Sequence, residues 1–595
     1  MASLFEDASL VMIPSGYKDG KVYSIKPTNG DGDLTFTRSN DTATRVGPDG
    51  LIEKVRTNVL LQSNSFDTTW VNTDTTETGG QSGYDGSSDA WLLDISGGTD
   101  SQHIGQSISV SGVQTFSFYA KAGSKNWVMC LGIGASIPQV YFDLQNGVVG
   151  TESNATGAIV SVGNGWYRCS MSHTETIGSV RIYLATADND ITQSSGNILI
   201  QDAQIEAGDI ATDYIATTSA AVSVGPVANL PRLDYLDSSC PKLLLEPQRT
   251  NLVTYSEQFD NAAWSKDDLT VTANATISPD GYQNADKIVE NTTNGIHRIR
   301  EVGRVSTTGD VFTASCFFKA SERSKVLVGI TDLTTGEAAA TFDLSNGTGV
   351  NSSSGSWTNT SFTITNYLNG WYRCAVTGTQ GAGGSSRLDI YISNGSTISY
   401  AGTAGFGLFM FGAQLEASAS YETSYIPTLS AASTRGVDFG SSSDMIGTSY
   451  TSSDFSYFIE FNLLQDSGAS NSPMLLGGGN FTVGASGQGY LRIGLSGNNS
   501  VILFGHGDSQ MATVGYAFTK ATRYKLLVKR SGTSIKFYVN GAQVGATGTS
   551  SLDFTLRSIG WSYAAGSYNT YGNIYQFLAF QTALSDAEAI ALTTL

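Results

Sequence analysis

The chain has 595 residues, which is too long for a single hydrophobic core and predicts roughly three to five domains. It carries 33 Lys and Arg against 52 Asp and Glu, giving a formal charge of −19 with no block of basic residues. This balance argues against nucleic-acid binding, because neutralising phosphates requires clustered Lys and Arg.

The composition favours β-structure. Gly accounts for 67 residues and charged residues for only 14%, whereas 40% of the residues are hydrophobic. Short apolar runs separated by Gly, Asn and Ser are typical of many strands joined by turns. No apolar run approaches the roughly 20 residues that span a bilayer. Two acids precede the first base, Lys18, so the sequence predicts neither membrane insertion nor a secretory signal.

The first 50 residues differ from the rest of the chain. They contain short apolar runs, but too few for a core of their own. Two roles are open for this stretch: it contributes edge strands to another domain, or it attaches the chain to another protein. We assign residues 1–50 as an N-terminal attachment segment, and on that interpretation its removal leaves the other domains folded.

Two copies of one domain follow. The phrase "LIEKVRTN" (residues 51–58) matches "LLEPQRTN" (residues 244–251), and "NGWYRC" occurs at residues 164–169 and again at 369–374. The separation between matching phrases changes along the chain, which places insertions in loops. The sequence therefore contains a tandem repeat of a unit of domain size.

Each copy has the pattern of strands. In "TFSFYAK" (residues 115–121) Phe and Ala alternate with the other side chains, as in a half-buried strand. The phrase "YFDLQNG" (residues 141–147) is a strand that runs into an Asn-Gly turn. With no helical stripe of useful length, each copy is predicted to be a two-sheet antiparallel jelly roll. Jelly-roll repeat 1 covers residues 51–222, and residues 223–432 hold a linker and jelly-roll repeat 2.

The pattern changes again in residues 433–595. Here Tyr524–Lys529 pairs with Ile535–Asn540 across "RSGT", which predicts a β-hairpin. Near the end of the chain, Ser585 and Glu588 form a capping-box pattern ahead of a short helix. This stretch is a third all-β domain, of different lineage from the repeats.

The side chains expected of an enzyme are not found. Glycan hydrolysis needs two carboxylates about 5 to 10 Å apart, yet Glu460 stands alone on its strand face with Phe458 and Asn462. We predict no catalytic residues, no enzymatic activity and no cofactor. The loops "NGDGDL" (residues 29–34) and "ATADNDIT" (residues 185–192) offer oxygen ligands, so a structural calcium ion stays open beside ordinary turn chemistry.

The cysteines predict neither a disulfide framework nor a zinc site. Their number is odd and they form no Cys-x-x-Cys pair. We expect reduced thiols that are buried as small hydrophobic side chains. The five are Cys130, Cys169, Cys240, Cys316 and Cys374.

The repeated "NGWYRC" strand has two different sides. Trp166 and Arg168 point one way, and Tyr167 and Cys169 point the other. Because a free thiol prefers the interior, the Trp-Arg side is predicted to lie outward or under a loop, with Arg stacked on Trp. The repetition of "NGWYRC" is explained if both copies use it as a scaffold strand. The remaining hypothesis is that the Trp-Arg pair of this strand binds a ligand.

The remaining tryptophans divide by whether they match between the copies. Trp70 and Trp264 correspond, which indicates a shared packing role. Trp561 has no counterpart, so it could adjust a binding site. Sugar binding relies on aromatic faces beside a few polar groups. The candidate glycan-binding residues are Trp166, Arg168, Trp371, Arg373 and Trp561.

Several phrases resemble modules of tailed-bacteriophage virion proteins, notably tail-fibre and head-fibre-like proteins. They are "FTRSNDTATRVGPDGLIE", "PRLDYLDSSCPKLLLEPQRTNLVTYSEQFDNAAW" and "NGWYRC". Each repeat is similar to jelly-roll carbohydrate-binding modules, and "FLAFQTALSDAEAIAL" resembles the closing strand and helix of a concanavalin A-like, laminin G-like sandwich. The resemblance implies an all-β chain: two tandem jelly-roll β-sandwiches followed by a concanavalin A-like β-sandwich.

The resemblance also implies a function. The chain would be a non-enzymatic structural or adhesive protein on the virion surface, a fibre, spike or capsid-surface fibre, and often a homotrimer. It would join other virion proteins through its N-terminal segment and bind cell-surface or environmental polysaccharide. One alternative is a purely structural capsid or tail decoration protein making protein–protein contacts. The other is a secreted polysaccharide hydrolase, against which the missing signal and carboxylate pair weigh.

Overall fold

A computed structural model describes most of the chain, and within it the fold is almost entirely antiparallel β-sheet, which confirms the all-β prediction. No helix in this part of the chain is long and apolar enough to cross a membrane. The described residues are 2–18, 20–98, 101–332, 336–441, 454–464, 474–477, 489–495, 498–506, 509–549, 558–559 and 571–595.

The N-terminal segment is a helix followed by short strands. It comprises α1 (Ala2–Asp7), β1 (Leu10–Met12), β2 (Tyr17–Lys18), β3 (Lys21–Val22), β4 (Leu34–Thr37), β5 (Thr44–Val46) and β6 (Ile52–Lys54). Strands β5 and β6 pair with each other as a separate hairpin. The earlier strands join sheets of the C-terminal domain, as described below.

Repeat 1 is a sandwich of two six-stranded sheets. Its strands are β7 (Arg56–Asn58), β8 (Val71–Thr73), β9 (Thr75–Gln81), β10 (Ala90–Ile95), β11 (His103–Val110), β12 (Gln114–Ala122), β13 (Trp127–Gly134), β14 (Gln139–Asp143), β15 (Val148–Ser153), β16 (Thr156–Gly163), β17 (Trp166–His173), β18 (Ile177–Ala185), β19 (Asn197–Ala207) and β20 (Val222–Val224). The sheet orders are β16-β17-β12-β19-β10-β9 and β15-β14-β13-β18-β11-β8.

Strand β12 differs from its prediction. The alternation in its sequence predicts a strand that is buried on one side, but every residue from Gln114 to Ala120 is buried. Phe116 and Phe118 face the core between the two sheets. Tyr119, on the other side, packs in a second small cluster with Trp166. The outer side of this sheet is therefore covered as well.

Repeat 2 has the same two-sheet plan. It follows β21 (Leu233–Asp234) and β22 (Lys242–Leu245) of the linker, and its strands are β23 (Arg249–Asn251), β24 (Ser265–Asp267), β25 (Leu269–Thr276), β26 (Ala285–Glu290), β27 (Asn294–Ile296), β28 (Arg298–Arg300), β29 (Arg304–Ser306), β30 (Val311–Ala320), β31 (Lys325–Asp332), β32 (Glu337–Asp343), β33 (Thr348–Asn351), β34 (Thr358–Tyr367), β35 (Trp371–Thr379), β36 (Gly384–Ser393), β37 (Ser399–Ala401), β38 (Gly407–Ala417) and β39 (Ser433–Arg435). The sheet β34-β35-β30-β38-β26-β25 corresponds to the first sheet of repeat 1.

The C-terminal domain is a larger sandwich, which we call the base. Its own strands are β40 (Phe439–Ser441), β41 (Phe455–Leu463), β42 (Met474–Gly477), β43 (Gly489–Leu495), β44 (Asn498–His506), β45 (Ser509–Gly515), β46 (Tyr524–Ser531), β47 (Ser534–Val539), β48 (Ala542–Thr549), β49 (Ser558–Ile559) and β50 (Gly572–Phe580), followed by helix α2 (Asp586–Thr593). The predicted hairpin is confirmed as the β46–β47 pair. The predicted capping box is also confirmed, between Ser585 and Glu588.

Strands from distant parts of the chain complete the base. Strand β1 pairs with β50, β4 pairs with β40, and the linker strand β22 also pairs with β50. Their apolar side chains belong to the same core as those of the C-terminal strands. The N-terminal segment thus supplies strands to the base, which was one of the two roles open for it.

Each repeat leaves the base and returns to it through a short two-stranded ribbon. Strand β7 pairs with β20 at the two ends of repeat 1, and β23 pairs with β39 at the two ends of repeat 2. The base is therefore discontinuous in sequence, and both repeats are insertions between its strands.

Five buried charged side chains, which we call the junction network, lie where the ribbons meet the base. Asp438 pairs with Arg38 at 3.0 Å and with Arg232. Glu246 pairs with Arg232 at 2.8 Å and with Arg435 at 3.0 Å. Each of the five lies at or beside the end of a strand: β4, β21, β22, β39 or β40. The network therefore fixes the segments that converge on the base.

Acid is expected to weaken the junction network. Burial alone would raise the pKa of Glu246, but Arg435 and Arg232 lower it from 4.5 to about 2. Glu246 therefore contributes its full stabilisation above about pH 4.5 and loses it as the pH falls towards 2, a difference of about 3 kcal/mol. The urea midpoint, followed by tryptophan fluorescence, should fall across that window. Glu246→Gln should flatten this dependence, and an unchanged slope in the variant would contradict the assignment.

Candidate functional site

The two tryptophans of the repeated strand are buried. Trp166 begins β17 and Trp371 begins β35, and each retains 1% of its accessible surface. Cys169 and Cys374 face the core, as predicted. The prediction that Trp166 and Trp371 present their rings to a glycan is wrong, because further chain covers the outer side of the strand in both repeats.

The arginines of this strand stack on aromatic rings of the neighbouring strand. The prediction that they stack on tryptophan is wrong. Arg168 lies directly across from Tyr119, with its guanidinium 5.4 Å from the ring centroid. Arg373 lies across from Phe317 at 5.2 Å. The physical reason is distance, since directly opposed residues are closer than residues i and i+2 of one strand. Arg168 is half-buried and Arg373 is buried.

In repeat 2 the cover over the strand is the β5–β6 hairpin. Val46 and Ile52 of the hairpin belong to one apolar cluster with Trp371 and Phe317. The backbone N–H of Ile52 donates to the carbonyl of Pro279 at 2.9 Å. The N-terminal segment is therefore packed against repeat 2 as well as the base.

Lys54 at the end of the hairpin reinforces this packing. Its ammonium lies 2.6 Å from Asp280 and 2.8 Å from Glu257, and 5.4 Å from the ring centroid of Phe411. Burial alone would lower the pKa of Lys54, but the two carboxylates outweigh it and raise the pKa. The hairpin is thus held as a fixed part of the repeat 2 surface.

Repeat 1 covers the corresponding strand with its own loop. The ring of Tyr84 stacks on Tyr119 with centroids 3.7 Å apart and meets Trp166 edge-on at 6.5 Å. The Tyr84 hydroxyl donates to Asp202 at 3.1 Å. Burial raises the pKa of Asp202 to about 6. The two copies share the strand but differ in what covers it.

The other tryptophans divide as follows. Trp70 lies 4.9 Å from Phe66, and its counterpart Trp264 lies 5.0 Å from Phe259, measured between ring centroids. Both tryptophans belong to the sandwich cores, so their shared packing role is confirmed. Trp561 lies outside the described residues, and its proposed glycan contact stays a prediction.

A cleft of about 490 Å³ opens where repeat 2 meets the base and the β5–β6 hairpin. This volume is within the range of roughly 300 to 1,000 Å³ that is usual for small-molecule sites. No single domain encloses the cleft. Its walls come from the hairpin (residues 44–46 and 52), the linker (234–246), repeat 2 (363–373 and 422–425) and the base (462–464, 521–523 and 573–575).

The linker wall carries an ion pair. Lys242 lies 3.6 Å from Asp234 and donates to the carbonyl of Leu236 at 2.8 Å. Asp234 also accepts from the backbone N–H of Val46 at 2.9 Å. Burial raises the pKa of Asp234 above its usual value. Asp237 and Glu246 also line this wall, so its carboxylates outnumber its one ammonium.

The base wall carries a guanidinium stacked on an aromatic ring. Arg523 lies 4.1 Å from the ring centroid of Tyr575, and 54% of its side chain is exposed. Its Nε lies 2.6 Å from Glu460, which also accepts from Gln576. Glu460, the isolated acid of the sequence, thus orients Arg523. The stacked pair offers a flat surface with a polar edge.

Two residues of the lining each have one buried polar atom with no hydrogen-bond partner within the described part of the chain. The atoms are Nε of Arg373 and Oδ1 of Asn573. Arg373 Nη2 donates to Ser315 at 2.9 Å, and Asn573 Nδ2 donates to Asn462 at 2.9 Å. Leaving such groups unpaired costs about 1–3 kcal/mol each. Both atoms are enclosed by protein, and Nε of Arg168, the counterpart of Arg373 in repeat 1, is unpaired as well, so neither atom by itself indicates a ligand.

The structure thus brings one predicted residue, Arg373, to a candidate site and adds others that the sequence did not single out. The additions are Arg523, Asn573 and Tyr575, which lie in the base, far from repeat 2 in sequence. Nothing in their local phrases distinguishes them from ordinary strand and loop residues. Only the packing of the base against repeat 2 brings them together.

In the two loops considered for calcium, acidic side chains accept hydrogen bonds from the backbone. Asp33, in the first loop, accepts from the backbone N–H of Ser24 at 2.9 Å, and Asp188, in the second, accepts from that of Thr151 at 2.6 Å. These contacts are turn and loop hydrogen bonds. Among the described residues, no three His, Cys, Asp or Glu side chains are grouped so that they could hold a metal.

All five cysteines are free thiols, and four of them are buried as predicted. Burial raises the pKa of the Cys130 and Cys316 thiols. The prediction is wrong for Cys240, which is exposed in the turn between β21 and β22. That turn lies on the surface because only the strands on either side of it enter the base core.

Comparison with known proteins places only the C-terminal part of the chain. Residues 435–590 match the model of the concanavalin A-like lectin/glucanases superfamily, which covers less than half of the chain. This match agrees with the predicted lineage of the third domain. No curated protein matches the chain.

Solved structures give only distant similarities. The CBM40 of Ruminococcus gnavus IT-sialidase, bound to alpha2,3 sialyllactose, is 18% identical; the match covers 26% of this chain and 89% of that one, with a TM-score of 0.22. Domains LG4-5 of the mouse laminin alpha1 chain are 11% identical, covering 56% and 94%, with a TM-score of 0.19. Trypanosoma rangeli sialidase in complex with sialic acid is 10% identical, covering 94% and 97%, with a TM-score of 0.22. At these values none of them bears on what this chain binds.

Proposed function

We propose that this chain is a non-enzymatic carbohydrate-binding protein that holds a short segment of polysaccharide in the cleft between repeat 2 and the base. The observation that carries the proposal is the Arg523–Tyr575 stack on the wall of a cleft of about 490 Å³, with the guanidinium 4.1 Å from the ring centroid. A sugar hydroxyl both donates and accepts, so it can bond to the guanidinium, amide and hydroxyl groups that line this cleft.

Two properties of the lining support a sugar over an anionic ligand. The Arg523–Tyr575 pair supplies an aromatic face with a polar edge, which suits the mixed apolar and polar faces of a sugar ring. The carboxylates of Asp234, Asp237 and Glu246 line the linker wall together with one ammonium, which disfavours an anionic ligand. The superfamily match of the C-terminal part is consistent with a lectin-like role.

Arg523→Gln is expected to weaken polysaccharide binding by about tenfold or more, equivalent to at least about 1.4 kcal/mol. Gln keeps a donor for Glu460 but removes the guanidinium face over Tyr575. The wild-type chain is first screened on a glycan array, and the best ligand is then titrated by calorimetry. Arg300→Ala, an arginine of repeat 2 away from the cleft, should bind like wild type. No binding by the wild-type chain, or equal binding by Arg523→Gln, would count against the cleft.

We also infer that the chain serves as a structural or adhesive protein on the surface of a tailed-phage particle. Its support is the phrase-level resemblance of both repeats to fibre-like virion modules. Because β1 and β4 are strands of the base, attachment through the N-terminal segment would use the outer surface of the base, not a free arm. Mass spectrometry of purified particles, with imaging of labelled particles, tests this role: absence of the chain from intact particles would refute it.

A further inference from the structure

A second cavity, of about 280 Å³, lies beside the cleft. Its walls are three segments of the chain: residues 46–50 of the β5–β6 hairpin, residues 235–238 of the linker, and residues 366–368 at the end of β34. The two cavities adjoin, because several residues line both of them. The shared residues are Val46, Leu236, Asp237, Ser238 and Tyr367.

The boundary between the two cavities is an exposed turn of the linker. The backbone N–H of Ser238 donates to the carbonyl of Tyr235 at 3.1 Å, which closes the turn. Asp237, inside the turn, is exposed. The backbone N–H of Tyr235 also donates to the carbonyl of Val46 at 3.0 Å, which fixes the turn to the hairpin. A polymer can therefore pass from one cavity to the other over a surface turn that is held in place.

The combined lining is longer than a single sugar ring needs. Thr363 and Thr365 of β34 line the cleft, and Asn366 and Leu368 line the second cavity. At the rise of an extended strand, the stretch from Thr363 to Leu368 spans roughly 16 Å. The two cavities together therefore suit several rings of one polysaccharide chain.

The second cavity offers an apolar side chain and hydrogen-bonding groups but no positive charge. Leu368 is 56% exposed and lies against Gly50, where an added Cβ would clash with it. Asn366 is exposed as well. Among the described residues that line this cavity, the charged ones are two carboxylates, Asp49 and Asp237, and none is Lys or Arg. Such a lining suits a sugar ring, and its charge disfavours a ring that carries a carboxylate, sulfate or phosphate.

We propose that the second cavity is a further subsite, which holds the continuation of a neutral polysaccharide bound in the cleft. This inference rests on the proposed function of the cleft. Linked subsites act on one ligand at high effective concentration, so the second adds affinity only for a ligand that reaches both. The protein should therefore bind long neutral oligosaccharides more tightly than short ones, and more tightly than acidic ones of the same length.

A glycan array tests the subsite when it carries linear neutral oligosaccharides of several lengths and uronic-acid-containing oligosaccharides of matching length. Calorimetry with the full chain then compares a short and a long member of the neutral series that binds best. We expect the wild type to bind the long member about tenfold or more tightly than the short one. Leu368→Ala should remove most of this difference and leave binding of the short member unchanged.

The matched control is Val350→Ala, which changes a 68% exposed valine on β33 of repeat 2. This residue lines neither cavity, so the variant should bind both oligosaccharides like the wild type. If Leu368→Ala has a lower thermal unfolding midpoint than the wild type, Asn366→Ala replaces it. Asn366 lines the second cavity and not the cleft.

A double variant, Asp49→Asn with Asp237→Asn, tests the selection against acidic chains. Asparagine has nearly the same shape as aspartate, and it can still accept the hydrogen bond that Asp49 Oδ1 receives from the backbone N–H of Leu51 at 3.0 Å. Removing two exposed carboxylates should tighten binding of the long acidic oligosaccharide by about threefold or more. Binding of the neutral one should not change.

The possible results separate the subsite from the cleft. Equal affinity of the wild type for short and long neutral oligosaccharides would overturn the subsite and leave the cleft in place. So would an equal loss for both lengths in the Leu368→Ala and Asn366→Ala variants, or an acidic chain that binds the wild type as tightly as the neutral one. A wild-type chain that binds no glycan, or an Arg523→Gln variant that binds like the wild type, would refute the cleft and the subsite together.

Discussion

Asp438→Asn is expected to lower the free energy of unfolding by about 3–5 kcal/mol, because it leaves two buried guanidinium groups without their shared anion. Asp438 and its partners Arg38 and Arg232 have fully buried side chains. Asp438 Oδ2 also accepts from the backbone N–H of Glu246 at 3.0 Å. Asparagine has nearly the same shape, so the loss is electrostatic and creates no cavity.

The measurement is the midpoint of thermal unfolding by calorimetry. Asp586→Asn is the matched control, because Asp586 is a 51% exposed carboxylate paired with Lys529 and Lys536. Exposed pairs contribute roughly 0–1 kcal/mol. Lys529 is only 8% exposed but keeps its bond to the carbonyl of Leu584 at 2.6 Å, so the loss should stay near the upper end of that range. A midpoint for Asp438→Asn equal to that of Asp586→Asn would show that the junction network does not hold the base together.

Deletion of residues 1–37 is expected to unfold the base. The deleted stretch places five apolar side chains in the base core, at about 1.5–3 kcal/mol for each fully buried side chain. Their sum is of order 10 kcal/mol, comparable with the whole stability of a domain. They are Leu10, Met12, Val22, Leu34 and Phe36, each at most 1% exposed. This outcome is opposite to that expected of a removable attachment segment.

Limited proteolysis with mass spectrometry distinguishes the two outcomes. In the deletion variant, residues 439–595 should be digested, whereas fragments the size of the repeats should persist. A matched pair of substitutions in the same segment gives a finer test: Leu10→Asp should have the effect of the deletion, and Ile25→Asp should not, since Ile25 is 52% exposed. A protease-resistant base in the deletion variant would restore the attachment-segment interpretation.

Local pattern predicted the elements of this fold well. The Asn-Gly turns, the hairpin across "RSGT" and the capping box at Ser585 depend on neighbours in the chain, and they occur where expected. The duplicated phrases predicted two copies of one sandwich because both copies keep the same core positions, such as Trp70 and Trp264. These features need no information about distant residues.

The candidate site could be predicted only in part. Arg373 was chosen for its place beside Trp371, and it does line the cleft, but for a different reason: repeat 2 packs against the base there. Trp166 and Trp371 were expected to lie outward or under a loop, because the pattern of one strand cannot show whether a second layer covers it. That layer is Tyr84 in one copy and the β5–β6 hairpin in the other.

The sequence by itself determined the strands, the turns, the duplication and the change of lineage after residue 432. Each of these follows from short-range periodicity, turn chemistry or direct repetition. Only the tertiary structure decided that the base is assembled from three separate stretches, that both repeats are insertions, and that a cleft lies between repeat 2 and the base. The physical reason is that strand pairing and burial join residues hundreds of positions apart, as when Leu10 pairs with Ala579. No local pattern specifies that partner.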